Sequence, residues 1–142
     1  MTTIAYVHGE IAADTLCTWG TNRDGYTTKI AKKSCFLAGA SGTVGGMQRF
    51  LDWFSSGMKG DPPEMPKEPD RQTFGMIITP SDEVLLFGPQ GWERTKNHMA
   101  SMGSGGEFAT GAMAMGASAE QAVRIAMQFD TKSGGDITVL RR

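Results

Sequence analysis

Thr2 is the residue in this chain that is best suited to catalysis, because it directly follows Met1. Removal of Met1 would leave Thr2 with a hydroxyl nucleophile and a free α-amine in one residue. A free α-amine has a pKa of roughly 7.7–8, so near neutral pH it can accept the hydroxyl proton, directly or through a water. Because threonine is small, we expect Met1 to be removed. The N-terminus therefore predicts a nucleophile combined with its own base.

Two glycine-rich segments and one polar turn could line a site around such a nucleophile. Gly39 ends a short apolar stretch, where its N–H could approach a substrate carbonyl and bind an oxyanion; a plain strand-to-helix turn explains it equally well. The segment 103–106 precedes a helix of small residues and either cradles an anion or merely caps that helix. The segment 130–135 has the composition of a polar turn between a helix and a strand.

The elements that would position these residues follow from hydrophobic spacing and turn chemistry. Met47, Phe50, Leu51 and Phe54 repeat at helical spacing, and Ser118 opens a capping-box pattern. Strands, then a helix, strands, two helices and a strand predict an α+β layered sandwich in one domain, residues 1–142. The predicted elements are strands 2–8 and 10–15, strand 34–39, helix 43–56, an extended proline-rich loop 58–71, a hairpin of 74–79 and 84–87, strand 99–103, helices 106–115 and 119–129, and strand 136–141.

Composition excludes several classes of protein. Fourteen basic and fifteen acidic residues give a formal net charge of -1, so a broad nucleic-acid-binding surface is not expected. No apolar run is long enough to cross a membrane, and the N-terminus has no basic segment followed by a long apolar one, so we expect neither membrane insertion nor secretion. Two cysteines do not form a disulfide scaffold, so the cytoplasm is the expected compartment.

The cysteines and histidines offer a different site, which the sequence disfavours. Cys17 and Cys35 with His8 and His98 could build a cysteine hydrolase or a metal centre. Their spacing matches no Cys-x-x-Cys or His-x-x-x-His pattern, and an isolated histidine is more often structural. We therefore expect no metal and no cofactor.

The order of the candidate segments resembles the proteasome β-subunit and HslV-type peptidase family of N-terminal-nucleophile hydrolases. Thr2-Thr3-Ile4 resembles the mature start of those subunits, and Asp14 falls at the family's active-site aspartate. Lys29 matches the catalytic lysine, with Lys32 and Lys33 as competing candidates. We prefer Lys29 because apolar Ile30 follows it, as in the family pattern. The resemblance covers nearly the whole chain.

The remaining site residues also enter through this resemblance. Gly39 corresponds to the strand end that supplies the oxyanion N–H, and Ser104 to the serine beside the nucleophile. Asp130 and Ser133 match the aspartate and serine that support the N-terminal amine. The resemblance implies the Ntn-hydrolase fold, an αββα sandwich of two antiparallel sheets flanked by helices. It also implies a threonine peptidase in which Lys29, paired with Asp14, stabilises negative charge.

The chain departs from the family in ways that leave alternatives open. One helix after Gly39 is expected to be lost, because the proline-rich loop takes its place. The resemblance implies peptide or unfolded-protein substrates, a self-compartmentalised homo-oligomeric ring and an AAA+ unfoldase as a candidate partner, but the lost helix puts stacked rings and ATPase docking in doubt. If Met1 is retained, a non-catalytic scaffold of the same fold is expected instead. An Ntn-type amidase acting on a small molecule is a third alternative.

Overall fold

The computed structural model describes residues 2–65, 67–68 and 71–142. Met1 and part of the proline-rich loop 58–71 lie outside this description. In chain order the elements are β1 (Ile4–Val7), β2 (Glu10–Ala13), β3 (Leu16–Trp19), β4 (Asn22–Tyr26), β5 (Ile30–Lys33), β6 (Phe36–Ser41), α1 (Val44–Ser55), β7 (Lys67–Glu68), β8 (Arg71–Gln72), β9 (Phe74–Ile78), β10 (Glu83–Gly88), β11 (Gly91–Lys96), β12 (Met99–Met102), α2 (Gly106–Ala114), α3 (Ala119–Phe129) and β13 (Thr138–Arg141).

These elements form four layers, which confirms the predicted αββα sandwich. One antiparallel sheet has the strand order β12-β1-β2-β13, and the other has the order β11-β10-β9-β6-β5. Apolar side chains of the two sheets form the central core, among them Ile4, Tyr6, Leu37 and Met76. Helices α2 and α3 pack on the outer face of the first sheet, and α1 packs on the outer face of the second.

The hairpin of β1 and β2 returns the chain to the residues near the N-terminus. His8 and Gly9, the two turn residues, have φ angles of 46° and 84°. Two successive left-handed residues match the right-handed twist of a hairpin, so the strands pair in register from Val7 and Glu10 onwards. The pairing continues past the strand ends, where the Asp14 N–H donates to the Thr3 carbonyl over 3.2 Å. Asp14 is thereby held beside the start of the chain.

Helix α1 confirms the periodicity predicted for residues 43–56. Thr43 caps it by accepting from the Gly46 N–H at 3.1 Å, and Gly57, with a φ of 103°, follows its last turn. Its apolar stripe, including Phe50 and Phe54, is buried against the second sheet. In the described part of residues 56–73 no second helix follows, only the two-residue strands β7 and β8. The expected loss of one helix is therefore confirmed for that part of the chain.

Helices α2 and α3 place two polar loops next to one another. Ser118 and Gln121 form the predicted capping box at the start of α3. The loop that precedes α2 contains Ser104, and α3 ends at Phe129, so that Asp130 begins the loop leading to β13. Because α2 and α3 pack on each other and on β1, both loops reach the same end of the first sheet.

Several strands were missed by the hydrophobic pattern. All six residues of β11 are exposed, and β4 has one partly buried residue, so neither strand shows an alternation that would reveal it. Strand β5 is buried only at its start. These strands exist because neighbouring strands supply their hydrogen-bonding partners. Within the described residues, no helix is both long and apolar enough to span a membrane.

Candidate active site

Thr2 lies immediately before β1 and is held through its backbone. Its N–H donates to Ser104 Oγ at 3.3 Å, and its carbonyl accepts from the Gly105 N–H at 3.1 Å. The Thr2 residue is 1% exposed. Thr2 is thus enclosed by the loop that precedes α2.

Glycines in that loop allow this close approach. Gly103 has a φ of 92°, and a Cβ placed there would overlap the Thr2 carbonyl oxygen. A Cβ on Gly105 would overlap Thr3 Oγ1. Any larger residue at either position would push the loop away from the N-terminal strand. The segment therefore closes on Thr2 and Thr3, in addition to opening α2.

Ser104, Asp130, Ser133 and Thr3 form one hydrogen-bond network. Ser104 Oγ donates to Asp130 Oδ2 at 2.7 Å, and Ser133 Oγ donates to the same oxygen at 2.5 Å. Since Ser133 has a single hydroxyl proton, Thr3 Oγ1 must be the donor in its 2.7 Å contact with Ser133 Oγ. The network connects the Thr2 nitrogen, through Ser104, to a carboxylate.

The protonation of Asp130 follows from these contacts. Burial raises the pKa of Asp130, but the opposing contributions, led by the hydrogen bonds that Ser133 and Ser104 donate, together outweigh it, and the net pKa lies below the ordinary value for aspartate. Asp130 is therefore a carboxylate at neutral pH. Were Met1 removed, a carboxylate there would favour a positive charge on the resulting Thr2 amine.

Asp14 and Lys29 form a buried ion pair beside the same strand. Lys29 Nζ lies 3.0 Å from Asp14 Oδ1, with the two side chains 1% and 0% exposed. Lys29 Nζ also donates to the Leu16 carbonyl at 2.7 Å. Asp14 Oδ1 accepts in addition from the Thr3 N–H at 2.9 Å, and Oδ2 from the Gly134 N–H at 3.0 Å. Asp14 Oδ1 therefore bridges the Lys29 ammonium group and the backbone N–H of Thr3, the residue after Thr2.

The two competing lysines lie elsewhere. Lys32 and Lys33 belong to the exposed end of β5. Lys33 Nζ donates to the carbonyl of Ser55, in the last turn of α1, at 2.8 Å. Among the three lysines, Lys29 alone is buried next to Asp14.

Gly39 occupies a different place in its strand from the one expected. The strand continues to Ser41, so Gly39 lies inside β6, paired with Ile30 of β5 and Met76 of β9. The neighbouring Ala40 N–H donates to the Lys29 carbonyl, so alternation points the Gly39 N–H towards β9. A Cβ on Gly39 would meet Ile4 in the core at 3.0 Å. The residues at the end of the strand are Ser41 and Gly42, and the oxyanion role of Gly39 stays a prediction.

Sequence reasoning missed Thr3 as a member of this site. Its hydroxyl donates to Ser133 and its N–H to Asp14, so it contacts both polar groups of the site. The available signal was a second threonine in a segment otherwise made of apolar strand residues. A polar residue that is 0% exposed needs hydrogen-bonding partners, which the site supplies.

A large cavity adjoins the site on the side of Ser104. Its volume is about 820 Å³, and it lies where the ends of β6, β9 and β10 face the end of β12. Apolar side chains from both sheets contribute to its lining, together with Ser41 and Ser104. Asp14 and Lys29 are not among the lining residues. The ion pair therefore contributes nothing to the wall of the cavity.

The cysteines and histidines form no comparable arrangement. His8 and His98 stack on each other, with ring centroids 4.8 Å apart, at the far end of the first sheet. Burial raises the pKa of the Cys17 thiol, which disfavours a reactive thiolate. Among the described residues, no group of three or more histidine, cysteine, aspartate or glutamate side chains could hold a metal ion.

Comparison with known proteins connects this geometry to solved structures. No protein-family model and no curated protein matches the chain. Among solved structures, Thiobacillus denitrificans BPH has a TM-score of 0.72 and 19% identity, over 98% of this chain and 96% of BPH. Its complex with epoxomicin has a TM-score of 0.70 and the same identity, over 98% and 97% of the two chains. Eukaryotic HslV from Trypanosoma brucei has a TM-score of 0.67 and 19% identity, over 99% of this chain and 100% of HslV. The chain has the fold of HslV, as its resemblance to proteasome β-subunits and HslV-type peptidases predicted.

Proposed function

We propose that this protein is an N-terminal threonine peptidase with Thr2 as nucleophile and its own α-amine as base. The observation that carries the proposal is the position of the Thr2 nitrogen. It lies 3.3 Å from Ser104 Oγ, which donates to the Asp130 carboxylate. Once Met1 is removed, this network would hold the new amine beside its own hydroxyl. Asp130 would also stabilise the amine when it carries a proton.

The reaction follows from these positions. The amine takes the proton of Thr2 Oγ–H as the oxygen attacks a peptide carbonyl, and the tetrahedral intermediate carries the negative charge. The ammonium then returns the proton to the leaving nitrogen as the carbon–nitrogen bond breaks, leaving an ester on Thr2. A water, activated by the same amine, hydrolyses the ester and restores the site.

Lys29 and Asp14 supply the electrostatic part of the proposed mechanism. The Lys29 ammonium is buried beside the chain segment that carries the nucleophile, where a positive charge lowers the cost of forming an alkoxide. Asp14 holds this ammonium in place through Oδ1. The pair positions a positive charge without placing it in solvent.

Two residues are candidates for the oxyanion donor. Gly39 is the residue that the resemblance implies, but its N–H points towards β9 within the sheet. Ser41 lies two residues further along the same face of the strand and lines the cavity with Ser104. By the same alternation the Ser41 N–H also points towards β9, so contact with the open space is the one feature that favours Ser41 over Gly39.

Substrate, assembly and compartment extend the same proposal. We expect peptides or unfolded protein as substrate and the cytoplasm as the compartment. An unprotected site of this kind would cleave passing proteins. A self-compartmentalised homo-oligomeric ring is the expected safeguard, with an AAA+ unfoldase as a candidate partner. T. denitrificans BPH, of the same fold, has been solved in complex with epoxomicin, a peptide epoxyketone. That complex supports testing the same reagent here.

One observation favours a non-catalytic scaffold as the second candidate. Thr2 is 1% exposed and its backbone is fully engaged by the loop that precedes α2. Such an arrangement also suits a strand that is only structural, with Met1 retained. The two candidates differ in whether the amine is free.

Intact mass followed by epoxomicin treatment separates the two. An epoxyketone needs both functions of an N-terminal threonine, because the hydroxyl adds to the ketone and the amine opens the epoxide. We expect loss of one Met residue and a single covalent adduct that maps to Thr2. The adduct should be absent in Thr2→Ala and present in Thr28→Ala, a control at an exposed threonine. A full-length mass with no adduct would reject the peptidase hypothesis and favour the non-catalytic scaffold.

A further inference from the structure

The cavity beside Ser104 has the lining of a subsite for an apolar side chain. Phe74 and Leu86 of the second sheet and Met102 of the first contribute to it. Phe74 is a large apolar residue that is 39% exposed, and its strand position pairs it with Ser41. Among the described residues that line the cavity, the two charged ones, Arg71 and Glu93, have opposite signs, so these residues favour no net charge on the occupant. Apolar surface around a few polar groups is typical of a ligand site.

The position of the amine determines which part of a peptide reaches this cavity. In the reaction proposed above, the Thr2 ammonium gives its proton to the leaving nitrogen, so that nitrogen must lie close to it. The Thr2 nitrogen is 3.3 Å from Ser104 Oγ, and Ser104 lines the cavity. Asp14 and Lys29 lie outside the lining. The segment that follows the scissile bond therefore leaves the site on the cavity side.

Resting on this proposed function, we propose that the cavity selects peptides with a bulky apolar or aromatic residue directly after the scissile bond. Phe74 is the principal specificity-determining residue. The Phe74 ring lies next to Gly88, where an added Cβ would be 3.0 Å from the ring. The ring therefore lies between the Gly88 backbone and the cavity. An aromatic substrate side chain would stack on this ring or meet its edge.

A peptide mixture digested by the processed protein tests this proposal. Mass spectrometry of the products gives the residues on both sides of every cleaved bond. We expect phenylalanine, tryptophan, tyrosine and leucine to be enriched after the bond in the wild-type digest. Phe74→Ala should reduce that enrichment about tenfold, and Phe74→Leu should retain most of it. Preferences before the bond should stay as in the wild type.

The control variant is Phe108→Ala, which removes a phenylalanine of similar exposure, 44%, on α2 outside the cavity. It should cleave as the wild type does. Epoxomicin has no group after a scissile bond, so its rate of reaction with Thr2 should be equal in wild type, Phe74→Ala and Phe108→Ala. A wild-type rate also shows that the Phe74→Ala variant is folded.

The outcomes distinguish this inference from the function on which it rests. If the wild type reacts with epoxomicin but Phe74→Ala leaves the residue preference unchanged, the cavity is not a subsite and only this inference is rejected. If Phe74→Ala or Phe74→Leu reacts with epoxomicin at the wild-type rate but alters the preference before the bond, the cavity accepts the other side of the substrate and the inference is rejected as well. A wild type that neither cleaves nor reacts removes both proposals together.

Discussion

The buried ion pair predicts a large loss of stability in Lys29→Met. Its side chains are 1% and 0% exposed and its charged atoms lie 3.0 Å apart. Removal of one partner from such a pair costs about 3–5 kcal/mol, because the remaining charge is left without compensation. Asp14 would keep two N–H donors, from Thr3 and Gly134, so we expect the lower end, about 3 kcal/mol.

This free energy converts into a melting temperature. Unfolding entropy is about 2.1 cal/mol/K per residue, which for 142 residues gives about 0.3 kcal/mol/K. A loss of about 3 kcal/mol should therefore lower Tm by about 10 °C. Urea unfolding followed by tryptophan fluorescence, together with calorimetry, measures both quantities. Lys33→Met is the matched control: its lysine is exposed, so the loss should stay below about 1 kcal/mol.

A double variant tests whether the charge itself causes the loss. Asp14→Asn combined with Lys29→Met leaves no unpaired charge, so it should be more stable than Lys29→Met alone, by about 1–3 kcal/mol. Equal losses for Lys29→Met and Lys33→Met would refute the reasoning about burial. Strictly additive losses of the two single variants would refute the coupling between Asp14 and Lys29.

Two further predictions concern the site loop and the core. Asp130 has a lowered pKa, so its contribution to stability is present above its unfolded pKa of about 3.9 and is lost as pH falls through the lower folded value. The stability difference between wild type and Asp130→Asn should therefore shrink on acidification from pH 6 to pH 3, measured by urea unfolding; parallel curves would contradict it. Gly75→Ala should destabilise the protein by about 1–3 kcal/mol, because the added Cβ would overlap the Phe50 ring. Gly111→Ala, inside α2 with no atom within 4 Å of the new Cβ, should instead stabilise it by about 0.5–1 kcal/mol, and thermal melts of both variants check the signs.

Helices are predicted well by the sequence, because their signals are local. The stripe of Met47, Phe50, Leu51 and Phe54 gives α1 to within one residue at each end, and Ser118 gives the start of α3. Apolar periodicity and end caps are properties of a continuous segment. The hairpin of β1 and β2 is equally readable, since two short apolar runs flank a tight turn.

Strands whose residues are exposed cannot be predicted from local sequence in the same way. Strand β11 carries the segment Gly91–Lys96 with all six residues exposed, and it forms only because β10 offers it an edge. Gly39 shows the same limit at the level of the site. The sequence suggests that β6 ends there, whereas pairing with β9 continues to Ser41 and moves the strand end by two residues. Strand length depends on partners that are distant in sequence.

By itself the sequence determined the residue types of the site and their order along the chain. Thr2 is identifiable from its place behind Met1, whereas Asp14, Lys29, Ser104, Asp130 and Ser133 are identified through the resemblance to the peptidase family. A local turn is enough to bring Asp14 back to Thr3. Only the tertiary structure decided which lysine is buried, that Thr3 bonds both Asp14 and Ser133, and that Ser104 faces a cavity. The physical reason is separation along the chain. Thr2 and Ser104 are 102 residues apart, and their contact depends on how α2 and α3 pack on the first sheet.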